Sequence, residues 1–128
     1  MTQTLDRPVR QPGPNHPLVL DDTSITVRVY AADTVLADRA DAREVREADY
    51  PAVLYVDRND IDMSKLTPSD RTSWCPYKGE ATYFHVQRAD GTRLDNAVWT
   101  YETPFEHILG IQGRLGFYTN QVTVEPIV

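Results

Sequence analysis

Short runs of β-branched and aromatic residues, each closed by turn-forming residues, recur along most of this chain. In residues 25–30, Ile, Val and Val alternate with Thr, Arg and Tyr, which is typical of a strand with one buried face. Residues 53–56 form a compact apolar run after Pro51, and residues 89–92 contain an Asp-Gly pair that favours a hairpin turn. About seven such strands with frequent turns predict a mainly β fold, with two packed antiparallel sheets of short strands and one or two short helical turns.

The first residues differ from the rest of the chain in composition. Residues 1–17 contain four of the nine prolines and few large apolar side chains, so we expect an extended N-terminal arm there. Residues 18–128 are then expected to form a single β domain. A lone histidine in an arm is usually solvated, which is our expectation for His16. Removal of residues 1–15 is expected to have little effect on stability, because few apolar groups would be lost from the core.

One internal segment is ambiguous between helix and strand. The Ala, Arg and Glu content of residues 38–49 favours a helix, and the spacing of Arg43 and Glu47 suits an exposed helical face. Only Val45 in this segment is strongly apolar, so a helix would have little surface to bury. We therefore expect an extended segment that leads into the next strand.

The composition argues against several classes of function. With 13 basic and 19 acidic residues and no basic patch, the chain has a formal net charge of −6, so nucleic acid is not an expected partner. No apolar run approaches the roughly 20 residues that span a bilayer, and no signal peptide opens the chain, so we expect a cytoplasmic location without membrane association. The single cysteine and three scattered histidines lack zinc-ligand spacing, so folding without metal or cofactor is expected. The oligomeric state stays open.

Residues 73–86 hold the only cysteine and have the pattern of a sharp turn that runs into a strand. Pro76 fixes its own φ and favours extended geometry at Cys75, whereas Gly79 can adopt a φ that other residues resist. The residues after Gly79 have the β-branched and aromatic content of a strand. This constrained turn brings a thiol, the amine of Lys78 and two aromatic rings close together, which indicates a site.

Four short segments together resemble the signature of the family catalogued as domain of unknown function 427. They are Cys-Pro-Tyr-Lys-Gly at residues 75–79 with Ala81 and Tyr83, Trp-Thr-Tyr-Glu-Thr-Pro at 99–104, Gly-Arg-Leu-Gly-Phe-Tyr at 113–118, and the Tyr, Arg and Asp within 55–61. Asp57 stands where the family usually has proline. The resemblance covers roughly residues 16–124.

This resemblance implies a fold similar to that of the β-tent proteins. These include zinc-ribbon-like modules, methionine-R-sulfoxide reductases and the ligand-binding domain of cereblon. The zinc-binding relatives hold their metal with paired cysteines, which this chain lacks. A nucleotidyltransferase label has been attached to the family, but the glycines at 110, 113 and 116 run into a strand and form no phosphate loop before a helix.

Side chains from three segments that each end in a turn are expected to meet at one aromatic-lined cleft near Cys75. The seven predicted site residues are Arg58, Asp60, Cys75, Tyr77, Lys78, Trp99 and Tyr101. The leading hypothesis is a pocket that binds a small molecule without catalysis, in which the rings stack on a flat group and Lys78 attracts an anionic or carbonyl group. The opposite interpretation of Trp99 and Tyr101 is that they simply fill the core.

Two other classes of function stay open. A small enzyme would use Cys75 or Lys78, because a nearby cation stabilises the thiolate that acts as a nucleophile. The sequence places no histidine or acid to complete a triad, and a buried, inert cysteine is the simpler interpretation. The third class is a protein-interaction module whose exposed aromatic side chains meet a partner.

Overall fold

The computed structural model of the protein describes residues 7–127, which form eight strands and three short 3₁₀ helices. The strands are β1 (Leu18–Ala31), β2 (Thr34–Glu47), β3 (Val53–Val56), β4 (Leu66–Cys75), β5 (Gly79–Gln87), β6 (Arg93–Thr100), β7 (Leu115–Phe117) and β8 (Thr123–Pro126). The 3₁₀ helices are Arg58–Asp60, Met63–Lys65 and Glu106–Ile111. The prediction of a mainly β fold is confirmed. Over this range, no helix has the length and apolar character that a membrane crossing requires.

The strands form one antiparallel sheet in the order β4-β5-β6-β7-β3-β2-β1-β8. This corrects the expectation of two packed sheets. The short strand β7 pairs with β6 on one side and with β3 on the other, which joins two halves that would otherwise be separate. The β3–β7 ladder has a single registered pair, Val56 with Leu115. The sheet is therefore continuous but narrowly connected at this seam.

Strand β2 resolves the ambiguity of residues 38–49 in favour of extended structure. It runs to Glu47 and pairs with β1 on one side and β3 on the other. Ladder hydrogen bonds on both sides outweigh a helical propensity worth only tenths of a kcal/mol per residue. Ala40 and Ala42 are buried in the strand, since small side chains fit where the sheet packs closely.

Neighbouring residues along the strands contribute to two different apolar clusters. Val56 and Val98 belong to the larger cluster, whereas Tyr55 belongs to the smaller one, against which Trp99 packs. Because successive side chains in a strand point to opposite faces, the two clusters lie on opposite faces of the sheet. The smaller cluster also contains Tyr101, and Cys75 packs against it. Three of the predicted site residues therefore share one face.

The N-terminal arm lies against the turn between β4 and β5. The indole nitrogen of Trp74 donates a hydrogen bond to the carbonyl of Pro8 at 2.7 Å, and the Arg7 guanidinium lies 4.7 Å from the centre of the Trp74 ring. The backbone amide of Arg10 donates to the carbonyl of Pro76 at 2.9 Å. The arm thus covers the turn that carries Cys75, at least from Arg7 onward; residues 1–6 lie outside the described residues.

Deletion of residues 1–15 is expected to lower the free energy of unfolding by only about 1 kcal/mol. The lost hydrogen bonds of Pro8 and Arg10 are each worth about 1 kcal/mol and the cation–π contact of Arg7 somewhat less, but truncation also removes the entropic cost of ordering the segment. Urea denaturation of the two forms measures the difference. A loss above about 3 kcal/mol would show that the arm is an integral part of the core.

Candidate functional site

The turn between β4 and β5 places the side chains of Cys75 and Lys78 together. The amide of Lys78 donates to the carbonyl of Cys75 at 3.2 Å, which closes a turn of four residues. Gly79 then adopts a φ of +116°, a backbone conformation that residues other than glycine rarely adopt. Strand β5 begins at this residue. The carbonyl of Lys78 accepts from the amide of Phe105 at 3.0 Å, which fixes the turn to the segment after β6.

Lys78 is a buried cation with a defined partner. Its side chain is 9% exposed, and its ammonium donates a hydrogen bond to the carboxylate of Glu47. The Lys78 Nζ also lies 3.8 Å from the Cys75 Sγ. An unpaired charge at this depth would cost several kcal/mol, so Glu47 is what allows a lysine here.

Glu47 joins the buried lysine to the N-terminal arm. Its second carboxylate oxygen lies 2.8 Å from the Nε2 of His16. The His16 ring stacks on Tyr77 with a centroid distance of 3.8 Å and an interplanar angle of 3°. The expectation that His16 is solvated is therefore wrong, because the arm places it between an aromatic ring and a carboxylate. A thiol, an amine, a carboxylate and an imidazole form a connected group.

The pKa of Glu47 reflects two opposing effects. Burial raises the pKa of this carboxyl, but the hydrogen bonds from Lys78 and His16, together with their charges, lower it more. The net pKa lies below the usual value, so Glu47 is ionised at neutral pH. The ionised carboxylate therefore serves as the hydrogen-bond acceptor for the Lys78 ammonium.

Three aromatic residues continue the site on the same face of the sheet. The Trp99 indole nitrogen donates to the Tyr55 hydroxyl at 3.2 Å, and the two rings meet edge to face at 6.2 Å. The Tyr101 ring lies 6.5 Å from that of Tyr55. Burial raises the pKa of both tyrosines well above the usual value, so both phenols stay protonated. The two tyrosines therefore present apolar rings and protonated hydroxyls at the site and do not act as bases.

The structure places Arg58 and Asp60 apart from this group. Arg58 pairs with Glu102 at 2.9 Å and donates to the Thr100 hydroxyl at 3.3 Å, and Asp60 accepts from the amide of Asp41 at 2.9 Å. These hydrogen bonds fix the loop after β3. Arg58 also lines a separate polar cleft of about 360 Å³. Of the predicted site residues, Tyr77, Lys78 and Tyr101 therefore lie on the same side of the molecule as Cys75. Arg58 and Asp60 do not.

Trp99 also borders a cavity of about 420 Å³, called here the Trp99 groove. The groove is lined by residues 50–54, Trp99, residues 117–119 and Val124. These residues include no charged side chain, and most are apolar. The Tyr118 ring tilts against Trp99 at a centroid distance of 4.8 Å. Trp99 packs directly on Gly116, where even a Cβ atom would lie 2.5 Å from the indole.

Sequence reasoning did not identify Glu47, His16 or Tyr55 as site residues. Glu47 lies 31 residues from His16 in one direction along the chain and 31 residues from Lys78 in the other, so no local pattern connects the three. A usable signal was the lysine itself, because a lysine in a buried turn requires an acid nearby. Within residues 7–127, no three His, Cys, Asp or Glu side chains are grouped so that they could hold a metal ion.

The sequence matches one protein-family model over residues 19–126. That family is described as a domain of unknown function, DUF427. No curated protein matches the chain. The match spans every strand from β2 to β8 and nearly all of β1, so it includes both the Cys75–Lys78 turn and the Trp99 groove.

Proposed function

The chain belongs to the DUF427 family, whose description names no reaction, ligand or partner, and from the site geometry we propose that it binds a small uncharged molecule with a flat apolar ring. The observation that carries this proposal is the Trp99 groove. Its volume of about 420 Å³ lies within the range of small-molecule sites, which are typically concave and mostly apolar. The resemblance to cereblon-type β-tent domains supports the same proposal.

The side chain of Trp99 suits a stacking role. Its only polar atom, the indole nitrogen, already donates to Tyr55, so the ring has no free polar group to satisfy. Aromatic rings attract other flat rings through offset or edge-to-face contacts worth about 0.5–1.5 kcal/mol beyond the buried area. Tyr50 is 62% exposed at the groove, so its ring gives a ligand a second surface to cover.

The charges around the site favour an uncharged ligand. Lys78 was expected to attract an anionic group, but Glu47 already neutralises its ammonium. The lining of the Trp99 groove contains hydroxyls, such as that of Thr119, and no side-chain charge. A ligand ion would lose its hydration without gaining a partner, whereas an apolar ring gains about 25 cal/mol per Å² of buried surface.

The uncharged fluorophore N-phenyl-1-naphthylamine tests this proposal, because its emission rises in apolar surroundings. We expect saturable binding to the native protein that Trp99→Ala weakens at least tenfold, since the stacking surface is lost. Trp74→Ala is the matched control, because Trp74 lies beneath the arm and not in the groove. Equal affinity in both variants, or emission that never saturates, would refute the proposal.

A second variant guards against a folding defect in Trp99→Ala. Ala52 is exposed at the groove, so Ala52→Trp fills the groove from the solvent side without altering the core. It should abolish binding of the same fluorophore while the melting temperature stays within a few degrees of the parent. Retained binding in Ala52→Trp would place the fluorophore elsewhere.

A second candidate function is catalysis by Cys75 with Lys78. The close approach of Sγ and Nζ, and the connection of Nζ to the Glu47 carboxylate, favour it. Titration of the native protein with a thiol-specific disulfide reagent at neutral pH distinguishes the two candidates. Fast reaction of Cys75 supports catalysis, whereas reaction only after denaturation excludes the thiol as a catalytic nucleophile.

A further inference from the structure

The thiol of Cys75 has an amine as its close reactive neighbour. The chain has a single cysteine, so oxidation cannot produce a disulfide within it. The Lys78 Nζ lies 3.8 Å from Sγ, which is close to van der Waals contact. A sulfur that has been oxidised to sulfenic acid is electrophilic, and nitrogen nucleophiles can attack it to form a sulfenamide.

The turn holds these two atoms in place before any reaction. The hydrogen bond from the Lys78 amide to the Cys75 carbonyl closes the turn, and Gly79 and the Phe105 amide fix its far end. A lysine on a surface samples many rotamers, but Lys78 is 91% buried, and its head group is bound to Glu47. The amine is therefore held beside the sulfur before any reaction begins.

We propose that hydrogen peroxide converts Cys75 and Lys78 into an intramolecular cross-link with a bond between Sγ and Nζ. In the first step the thiol reduces one peroxide molecule, giving a sulfenic acid and one water. In the second step the lone pair of Nζ attacks sulfur, the S–O bond breaks and the hydroxyl leaves as a second water. The cysteine is oxidised by two electrons, and the peroxide is reduced by two.

Glu47 provides the proton transfer that the second step needs. An ammonium has no lone pair, so Lys78 must first lose a proton, and the Glu47 carboxylate already accepts one of its hydrogen bonds. The proton then passes to the leaving hydroxyl, and the second proton of the ammonium is released to solvent. Because the amine is so close, cross-linking competes with further oxidation of sulfur to sulfinic and sulfonic acids.

Tryptic mass mapping of the full-length protein tests the proposal, because a lysine bonded to sulfur is no longer a trypsin site. The reduced protein gives the separate peptides 72–78 and 79–88. After a small excess of hydrogen peroxide and denaturation without thiols, we expect one peptide, 72–88, lighter by two hydrogen atoms than the uncut reduced sequence. Dithiothreitol should restore cleavage at Lys78 and free the thiol.

Two variants distinguish the cross-link from simple oxidation. In Cys75→Ser, peroxide should leave cleavage after Lys78 intact. In Lys78→Gln, which lacks the amine, Cys75 should accumulate two or three oxygen atoms instead of the cross-link. The proposal is overturned if the native protein gives mainly sulfinic or sulfonic acid at Cys75, and equally if Cys75 stays a free thiol after peroxide treatment.

Discussion

Glu47→Gln is expected to lower the free energy of unfolding by about 3 kcal/mol, because it removes the partner of a buried cation. The substitution keeps the shape of the side chain but leaves the Lys78 ammonium, 9% exposed, without a counter-charge. Removal of one partner from a buried ion pair typically costs about 3–5 kcal/mol. We place Glu47 at the lower end, because its own side chain is 16% exposed. Urea denaturation at pH 7 measures the change.

Glu44→Gln is the matched control on the same strand. Glu44 also pairs with a cation, Arg46, at 2.6 Å, but the two side chains are 30% and 48% exposed. Exposed pairs contribute about 0–1 kcal/mol, so this variant should be nearly as stable as the parent. The double variant Glu47→Gln with Lys78→Met should recover most of the loss, because no unpaired charge remains. Equal losses in both single variants would contradict a special role for Glu47.

The same pair predicts a pH dependence with a definite sign. Burial raises the pKa of Glu47, but the bonds to Lys78 and His16 hold it below the ordinary value of 4.5. The native state therefore binds the proton more weakly than the unfolded chain, and the contribution of Glu47 is fully present above about pH 4.5. It is lost as the pH falls through the lower native pKa. The stability difference between parent and Glu47→Gln should shrink over that acidic range.

Gly116→Ala is expected to lower the free energy of unfolding by about 1–3 kcal/mol and to weaken ligand binding at least tenfold. The added Cβ would lie 2.5 Å from Cε2 and 2.6 Å from Cζ2 of Trp99, so the indole must move. Displacement of a packed ring in this way typically costs that much. The ring would shift within the Trp99 groove, so denaturation and the naphthylamine titration should both change.

Gly13→Ala is the control for the glycine substitution itself. Nothing lies within 4 Å of a Cβ added at Gly13, and its φ is not in the left-handed region. This change should leave both stability and binding within error of the parent. If Gly116→Ala were as neutral as Gly13→Ala, Trp99 would be free to move and could not act as a fixed wall.

Features that depend on neighbouring residues were predictable from the sequence. The Asp-Gly turn at residues 89–92 joins β5 to β6 as expected, and the positive φ of Gly79 follows from its place in the Cys75–Lys78 turn. The extended state of residues 38–47 also followed from the lack of apolar side chains in this segment. In each case the controlling interaction lies within the segment or between adjacent strands.

Features that depend on the strand order were not predictable in this way. The sheet pairs β3 with β7, across an interval that contains three other strands, and no periodicity encodes that choice. Arg58 follows a strand end, as expected, but the order of strands brings it to Glu102 and not to Cys75. The pairing of Lys78 with Glu47 has the same origin, since the end of β2 meets the turn only in the folded sheet.

The seam between β3 and β7 has a consequence for how ligand binding can be observed. The Trp99 groove takes Val53 and Val124 from one half of the sheet and Trp99 and Phe117 from the other. The two halves of the sheet share one registered backbone pair at this seam. A molecule in the groove would therefore add contacts between the halves at the place where they are joined most weakly. Amide deuterium exchange should then slow on strands of both halves, including those that the molecule never touches. A molecule bound to one half alone would slow exchange only there.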